Sequence, residues 1–442
     1  MDAVIRGGAV PRGRVRVSGA KNSATRLLAA AMLTDERVVL NDFPTEIVDV
    51  QHKVRFARLL GTGVTLDRDT ESVEVDALAL DGHRLTTSEY DVPIRTTYLL
   101  VAPQLVRGEV ARVPYPGGCP IGGGSAGGRG YDLHIMVWER LGCTVVERED
   151  HIEVTAVRGL RGGPIDFPIS TVGGTENALL CASVATGRTE ISNAYITPEI
   201  EDLIALLRRM GARIEVFGSS HIVVEGVGGT LDGARMSVMP DRIEALTWIV
   251  YAIISGGAIT IDRVPFDAME VPLLHLKHAG IDLYRNSTSA HVTPDCLNLG
   301  SVQPFEVACG THPGVISDMQ AFFVMLALKG AGTSRIHDYR YPERIAFVEQ
   351  LARFVPDGVL EAERGRITVR GQAGFHPADA ASTDLRGSMA VVLAALCADG
   401  ESVIRGVHMA MRGYNDLAGK LTSLGADIVL DEEPERRLAH AG

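Results

Sequence analysis

Ile200-Glu201-Asp202-Leu203-Ile204-Ala205-Leu206-Leu207-Arg208-Arg209-Met210-Gly211-Ala212-Arg213-Ile214-Glu215-Val216 decides how this chain of 442 residues is read. Apolar residues at 200, 203, 204 and 207 mark one face of a helix, with charges opposite. Gly211 suits the left-handed position just past a helix end, and Ile214 and Val216 then alternate as a strand does. The same signature returns at Gly61, Gly142, Gly280 and Gly425, and more loosely at Gly358, about every seventy to eighty residues. Self-similarity at that period predicts six supersecondary units.

Each unit also carries an alanine-rich helix pattern that starts with a charged or amide pair. The starts are Lys21-Asn22, Arg95-Thr96, Glu176-Asn177, Asp241-Arg242, Ser317-Asp318 and Asp384 with Arg386. Runs such as Leu27-Leu28-Ala29-Ala30-Ala31 are too apolar all round for surface helices, so the sheets should lie outside them. A unit therefore reads strand, apolar helix, strand, amphipathic helix, strand, strand. The last copy stops at Asp427-Ile428-Val429-Leu430, and the strands near Val4-Ile5 and Val15-Arg16-Val17 are expected to complete it. The fold class is α/β, with six βαβαββ-type repeats. Boundaries near residues 20 and 240 give one domain over 21–239 and a discontinuous one over 1–20 plus 240–442. Three repeats fall in each, and the active site is expected in the cleft between them.

Helix N-termini attract anions, so several with Lys or Arg at their mouths point to a phosphate- or carboxylate-bearing substrate. The formal net charge of -12 speaks against nucleic acid or an anionic membrane as partner. No apolar run is long enough to span a bilayer, and Met1-Asp2-Ala3-Val4-Ile5-Arg6 lacks a signal-peptide core, so a cytoplasmic enzyme is expected. The six cysteines show no paired metal spacing, and neither metal nor organic cofactor is expected.

Residues 116–134 form a glycine-rich loop that carries Cys119 with Arg129 nearby in sequence. A guanidinium close to a thiol lowers its pKa and makes it a usable acid or nucleophile, although a free cysteine is more often inert core. Gly122, Gly124 and Gly127 match the dinucleotide fingerprint in spacing alone, without the flanking strand and helix that the fingerprint needs. His134 reads more readily as a hydrogen-bonding group than as a metal ligand, since no second ligand stands at a suitable spacing.

Taken together, Ser18-Gly19-Ala20-Lys21-Asn22, Pro116-Gly117-Gly118-Cys119, Asp132-Leu133-His134, Val172-Gly173-Gly174-Thr175-Glu176-Asn177, Pro240-Asp241-Arg242, Asp318-Met319-Gln320, Asp384-Leu385-Arg386 and Arg412-Gly413-Tyr414 resemble the enolpyruvyl transferases. Among these the resemblance is nearest to the branch that acts on UDP-N-acetylglucosamine. It implies two inside-out α/β barrels of three repeats each. It also implies attack of a sugar hydroxyl on C2 of phosphoenolpyruvate, with loss of phosphate. By resemblance Lys21, Arg129 and Arg412 hold the donor, with Arg95, Arg344 and Arg386 nearby. Cys119 would protonate the methylene carbon or form a covalent adduct, Asp318 would be the general base, and Asp384 would lie near the reacting carbon. Asn22, Asp132, His134, Thr171, Val172, Gly173 and Tyr341 are candidates for binding the acceptor. Asp241 and Arg242 are candidates for substrate binding or, equally, for a structural role at the domain hinge.

The chain departs from the family pattern on the lid and acceptor side. The Cys119 loop is about five residues longer than usual. Met409-Ala410-Met411, Val315-Ile316-Ser317, Ile169-Ser170-Thr171, Pro44-Thr45-Glu46-Ile47 and Tyr341-Pro342-Glu343-Arg344 replace family segments. The departures spare the groups assigned to phosphoenolpyruvate. A uridine nucleotide smaller than UDP-N-acetylglucosamine is therefore expected, UMP at its 3′-hydroxyl being narrowly preferred, as in relatives from peptidyl-nucleoside antibiotic pathways. UDP-N-acetylglucosamine itself is the alternative, ahead of a shikimate-type acceptor or a non-catalytic nucleotide-binding paralogue. A monomer or a weak homo-oligomer is expected.

Overall fold

The computed structural model describes residues 1–76, 96–115 and 131–431. These fall into two compact units. A middle unit holds residues 19–76, 96–115 and 131–239, and a terminal unit holds residues 1–18 and 240–431.

The middle unit contains α1 (Lys21–Ala31), α2 (Val48–Leu59), α3 (Val101–Leu105), α4 (Asp132–Arg140), α5 (Val172–Val184) and α6 (Pro198–Arg209). The local signals for α6 agree with one another. Thr197 caps its first turn by accepting from Ile200 N, Pro198 opens it, Glu199 and Glu201 face the positive end of the dipole, and Arg208 and Arg209 face the negative end. Gly211 follows at φ +93°, and the glycines at 61, 142, 280, 358 and 425 are likewise left-handed. The terminal unit repeats the plan with α7 (Arg242–Ser255), α8 (Glu270–His278), α9 (Gln320–Leu328), α10 (Ala346–Ala352), α11 (Leu385–Cys397), α12 (His408–Met411) and α13 (Leu417–Ser423).

Helices α7, α9 and α11 touch one another in the terminal unit and are buried along nearly their whole length, as α5 is in the middle unit. Each fully buried Leu or Ile contributes about 1.5–3 kcal/mol, so α7, α9 and α11 stabilise the core of the terminal unit and α5 that of the middle unit. Six sheets belong to the described residues, three to each unit.

The strand that ends one repeat pairs in parallel with the next repeat's sheet. Pro164–Asp166 lies beside Thr186–Ser192, Asp379–Ala381 beside Gly400–Arg405, and Ala234–Ser237 closes the middle unit beside Val38–Asn41. Asp2–Gly7 completes the last repeat by inserting between Gly400–Arg405 and Asp427–Asp431. The second N-terminal strand does not join it there. Arg12–Arg16 instead pairs with Ala258–Asp262 and closes the ring of three repeats onto the fourth.

Two expectations about helix starts need correction. Helix α5 begins at Val172, so Glu176 and Asn177 lie in its second turn and not at its mouth. The second repeat's apolar helix is broken into a 3-10 turn, Thr96–Leu100, followed by the short α3. Pro103 has no N–H for the carbonyl of Leu99, and the chain ahead of it tightens accordingly.

Candidate active site

In the terminal unit the starts of α7, α9 and α11 carry a buried cluster of opposite charges. Asp384 caps α11 through Arg386 N and Gly387 N, and Asp241 caps α7 through Ile243 N and Glu244 N. Arg344 lies between two carboxylates. Its Nη1 donates to Asp318 Oδ1 and its Nη2 to Asp384 Oδ1, each at 2.7 Å. Burial opposes its charge, but Asp384 and Asp318 outweigh it and raise the guanidinium's pKa.

Arg386 is 1% exposed and differently placed. Its Nε lies 3.6 Å from Asp318 and its Nη2 lies 4.0 Å from Asp241. By distance and angle none of its three nitrogens completes a hydrogen bond among the described residues, although Tyr414, Asp241 and Asp318 all interact with its charge. Its guanidinium sits 5.4 Å from the ring centre of Tyr414, whose hydroxyl lies 2.8 Å from Thr247 Oγ1. A Cβ at Gly413 would fall 2.4 Å from Leu385 Cδ2 and 3.0 Å from Arg386 Nη1, so the backbone approaches this arginine as only glycine allows. Arg344 is thus saturated by carboxylates, while Arg386 keeps buried donors for an anion.

Burial pushes the Asp241 carboxyl upward in pKa, against the pull of Arg386. Arg242 Nη1 lies 3.2 Å from His312 Nδ1, and Arg412 Nη1 lies 3.8 Å from Met409 Sδ. Ser317 donates to Asp338, whose other oxygen accepts from Tyr341 N at 2.8 Å, so the segment carrying Tyr341 is fastened to the start of α9.

In the middle unit Lys21 opens α1 with its Nζ 3.1 Å from Asp49, and Asn22 follows on the same turn. Thr171 caps α5 by accepting from Gly174 N, which places Val172 and Gly173 at the helix mouth. Asp132 and His134 lie in the first turn of α4. A Cβ at Gly173 would come within 3.2 Å of His134 Cε1, so these two motifs, distant in sequence, meet. Arg95, Cys119 and Arg129 lie outside the described residues.

A profile of the EPSP synthase (3-phosphoshikimate 1-carboxyvinyltransferase) family matches residues 5–421. The chain belongs to this family. UDP-N-acetylglucosamine 1-carboxyvinyltransferase of Myxococcus xanthus is 35% identical over 427 residues, covering 96% of this chain and 98% of its own. The enzyme of the same name from Acidobacterium capsulatum is 36% identical over 431 residues, covering 96% and 95%. Among solved structures, the enolpyruvyl transferase NikO from Streptomyces tendae superimposes with a TM-score of 0.84 at 25% identity, over 97% of this chain and 98% of its own. EPSP synthase from Acinetobacter baumannii shares the fold, with a TM-score of 0.72 at 16% identity over 97% and 100%.

The protein is accordingly an enolpyruvyl transferase that uses phosphoenolpyruvate as donor, with the family's two-domain inside-out α/β fold. No described helix is long and apolar enough to cross a membrane. The fold brings Asp318, Asp384, Arg344, Arg386 and Asp241 into one cluster, and His134 and Gly173 into another. Sequence reasoning missed the buried partners behind them, Arg26, Lys53, Tyr98 and Asp338. A signal was present for Arg26 and Glu176, since a charged residue within an otherwise apolar helix must find an opposite charge.

Proposed function

We propose that this enzyme transfers the enolpyruvyl group of phosphoenolpyruvate to a sugar hydroxyl of a uridine nucleotide, with UMP at its 3′-hydroxyl as the favoured acceptor. The observation that carries the donor assignment to residues is Arg386, buried with all three nitrogens unbonded among the described residues. A small dianion or trianion supplies the missing acceptors. Arg386 and Arg412, with Lys21 and Arg129, hold the phosphate and carboxylate. Cys119 delivers a proton to the methylene carbon, which leaves an electron-poor C2 that the hydroxyl attacks, and phosphate then leaves the tetrahedral adduct as the methyl group gives up a proton. In the covalent alternative the Cys119 sulfur first bonds to C2 of the protonated donor and is displaced again before the hydroxyl adds. Asp318 is 32% exposed, the most open carboxylate of the cluster, and takes the hydroxyl proton, while Arg344 holds it and Asp384 in place.

On the acceptor side, Ser317 and Tyr341 are tied internally to Asp338, where the family usually presents a different segment. That favours a smaller acceptor. UDP-N-acetylglucosamine is the second reading, favoured by the 35–36% identity to enzymes named for it. Phosphate release from phosphoenolpyruvate, measured with each nucleotide in turn, tests both. Release with UMP alone supports the first reading, release with UDP-N-acetylglucosamine alone supports the second, and release with neither defeats the uridine assignment.

A further inference from the structure

The middle unit holds a buried charged group that the donor chemistry does not use. Glu176 is 1% exposed, Tyr98 is 4% exposed and Lys53 is fully buried. Arg26 Nε donates to Glu176 Oε1 at 2.7 Å, and Tyr98 Oη donates to Glu176 Oε2 at 3.0 Å, so both carboxylate oxygens are taken. Lys53 Nζ donates to the carbonyl of Thr96, at the start of the 3-10 turn that carries Tyr98. Burial, aided by the Arg26 charge, lowers the Lys53 pKa well below the ordinary lysine range. Arg26 and Glu176 form the ion pair of the group by their contact geometry.

Within the middle unit this group reaches each described helix on which an acceptor candidate stands. Arg26 lies one turn after Asn22 on α1, and Glu176 lies one turn after Val172 and Gly173 on α5. The Tyr98 ring stacks on His134 of α4, with centroids 3.7 Å apart and planes at 20°. Gly173 lacks the Cβ that would fall 2.8 Å from Tyr98 Oη. A buried ion pair adds little stability over apolar side chains of similar volume, so its geometry is the better reason for its presence.

We propose that Arg26, Glu176 and Tyr98 are positioning residues for the acceptor subsite: one carboxylate fixes α1, the Thr96–Leu100 turn and α5 together, and the Tyr98 ring sets the plane of His134. The inference rests on the uridine-nucleotide reading above. Acceptor binding then depends on the trio; Lys21 shares α1 with Arg26 but is held by its own ion pair to Asp49, and Arg386 and Arg412 stand on other elements.

Two variants test it. Tyr98→Phe removes a single hydroxyl. The triple variant Arg26→Met, Glu176→Met, Tyr98→Phe replaces the trio by apolar side chains of similar volume and leaves Lys53 on the Thr96 carbonyl, a change of the kind that buried ion pairs often tolerate without unfolding. With whichever nucleotide the wild type turns over, the acceptor KM is expected to rise about tenfold in Tyr98→Phe and further in the triple variant. The KM for phosphoenolpyruvate and kcat are expected to stay within about threefold. A merely structural role lowers the fraction of active enzyme, and hence apparent kcat, and leaves the acceptor KM alone. An unchanged acceptor KM in a folded triple variant overturns the proposal.

A second readout is independent of turnover. The His134 Cε1–H resonance, assigned by its loss in His134→Gln, is expected to move in the triple variant as the ring stack loosens. A resonance unmoved there overturns the proposal even if the wild type uses neither nucleotide, a result that on its own defeats only the uridine reading.

Discussion

Replacing Arg386 by Met sets stability against donor binding. In the free protein the guanidinium gains from Asp318 at 3.6 Å and Asp241 at 4.0 Å. At the effective dielectric of a protein site each such contact is worth about 4 kcal/mol. Against this stand the three nitrogens without hydrogen bonds among the described residues, each buried donor costing about 1–3 kcal/mol. The opposing sums are similar, so Arg386→Met is expected to change unfolding free energy by no more than about 2 kcal/mol. Donor binding has no such compensation. Two charge-assisted hydrogen bonds of about 1.5–3 kcal/mol each are lost, which raises the KM for phosphoenolpyruvate roughly 10²- to 10⁴-fold. Urea unfolding of the free protein and initial rates against donor concentration read the two quantities separately. The reasoning is refuted if the variant unfolds with a loss above about 4 kcal/mol, or if the KM for phosphoenolpyruvate stays within about threefold.

Arg344→Met strips Asp384 of its buried partner, and since the more open Asp318 regains water the expected loss is about 3 kcal/mol, or roughly 6–12 °C in Tm by calorimetry. A shift under about 2 °C would show that the pair is not a support. Gly413→Ala drives a methyl against Leu385 and Arg386, and is expected to cost about 1–3 kcal/mol and to lower kcat/KM for the donor; wild-type kinetics would place Arg412-Gly413-Tyr414 outside the donor subsite. Cys119→Ser is expected to lower kcat by about 10²- to 10⁴-fold with little change in either KM, and an epoxide phosphonate such as fosfomycin is expected to alkylate the wild-type thiol; full turnover by the serine variant contradicts the role given to it. Burial raises the Asp202 pKa, although Ser23 and Met239 N bond to it. The folded state thus holds this proton more tightly than the unfolded one, so the Asp202 contribution to stability is fully present below the ordinary aspartate pKa and is lost as pH rises through the raised value. Asp202→Asn keeps both acceptor contacts and is expected to flatten that fall in denaturant titrations across pH; an unaltered slope counts against it.

Much of the architecture was legible because it is written in local conformational needs. A glycine after each amphipathic helix and an alternating strand beyond it recur because the left-handed turn excludes a side chain. Pairing between repeats was less legible. Nothing in Arg12-Gly13-Arg14-Val15-Arg16 says whether it serves the last repeat or the fourth, since an edge strand finds its sheet through tertiary closure. Glu176 was misplaced at a helix mouth because polarity was read as a start signal, whereas here it marks a buried ion pair one turn further in. For the site, the motifs found the carboxylates and arginines, and they did not find their assignments. That Arg344 is saturated and Arg386 is not depends on which of two neighbouring guanidiniums meets Asp318 and Asp384 face to face.

The most direct test of the central claim uses phosphoenolpyruvate labelled with carbon-13 at C2, incubated with the enzyme and UMP, and the product followed by NMR. The account expects the label to appear as an enol ether carbon coupled to the ribose 3′ position, with one phosphate released per product. A label that stays in phosphoenolpyruvate with UMP and equally with UDP-N-acetylglucosamine, under conditions where the protein is folded, contradicts it.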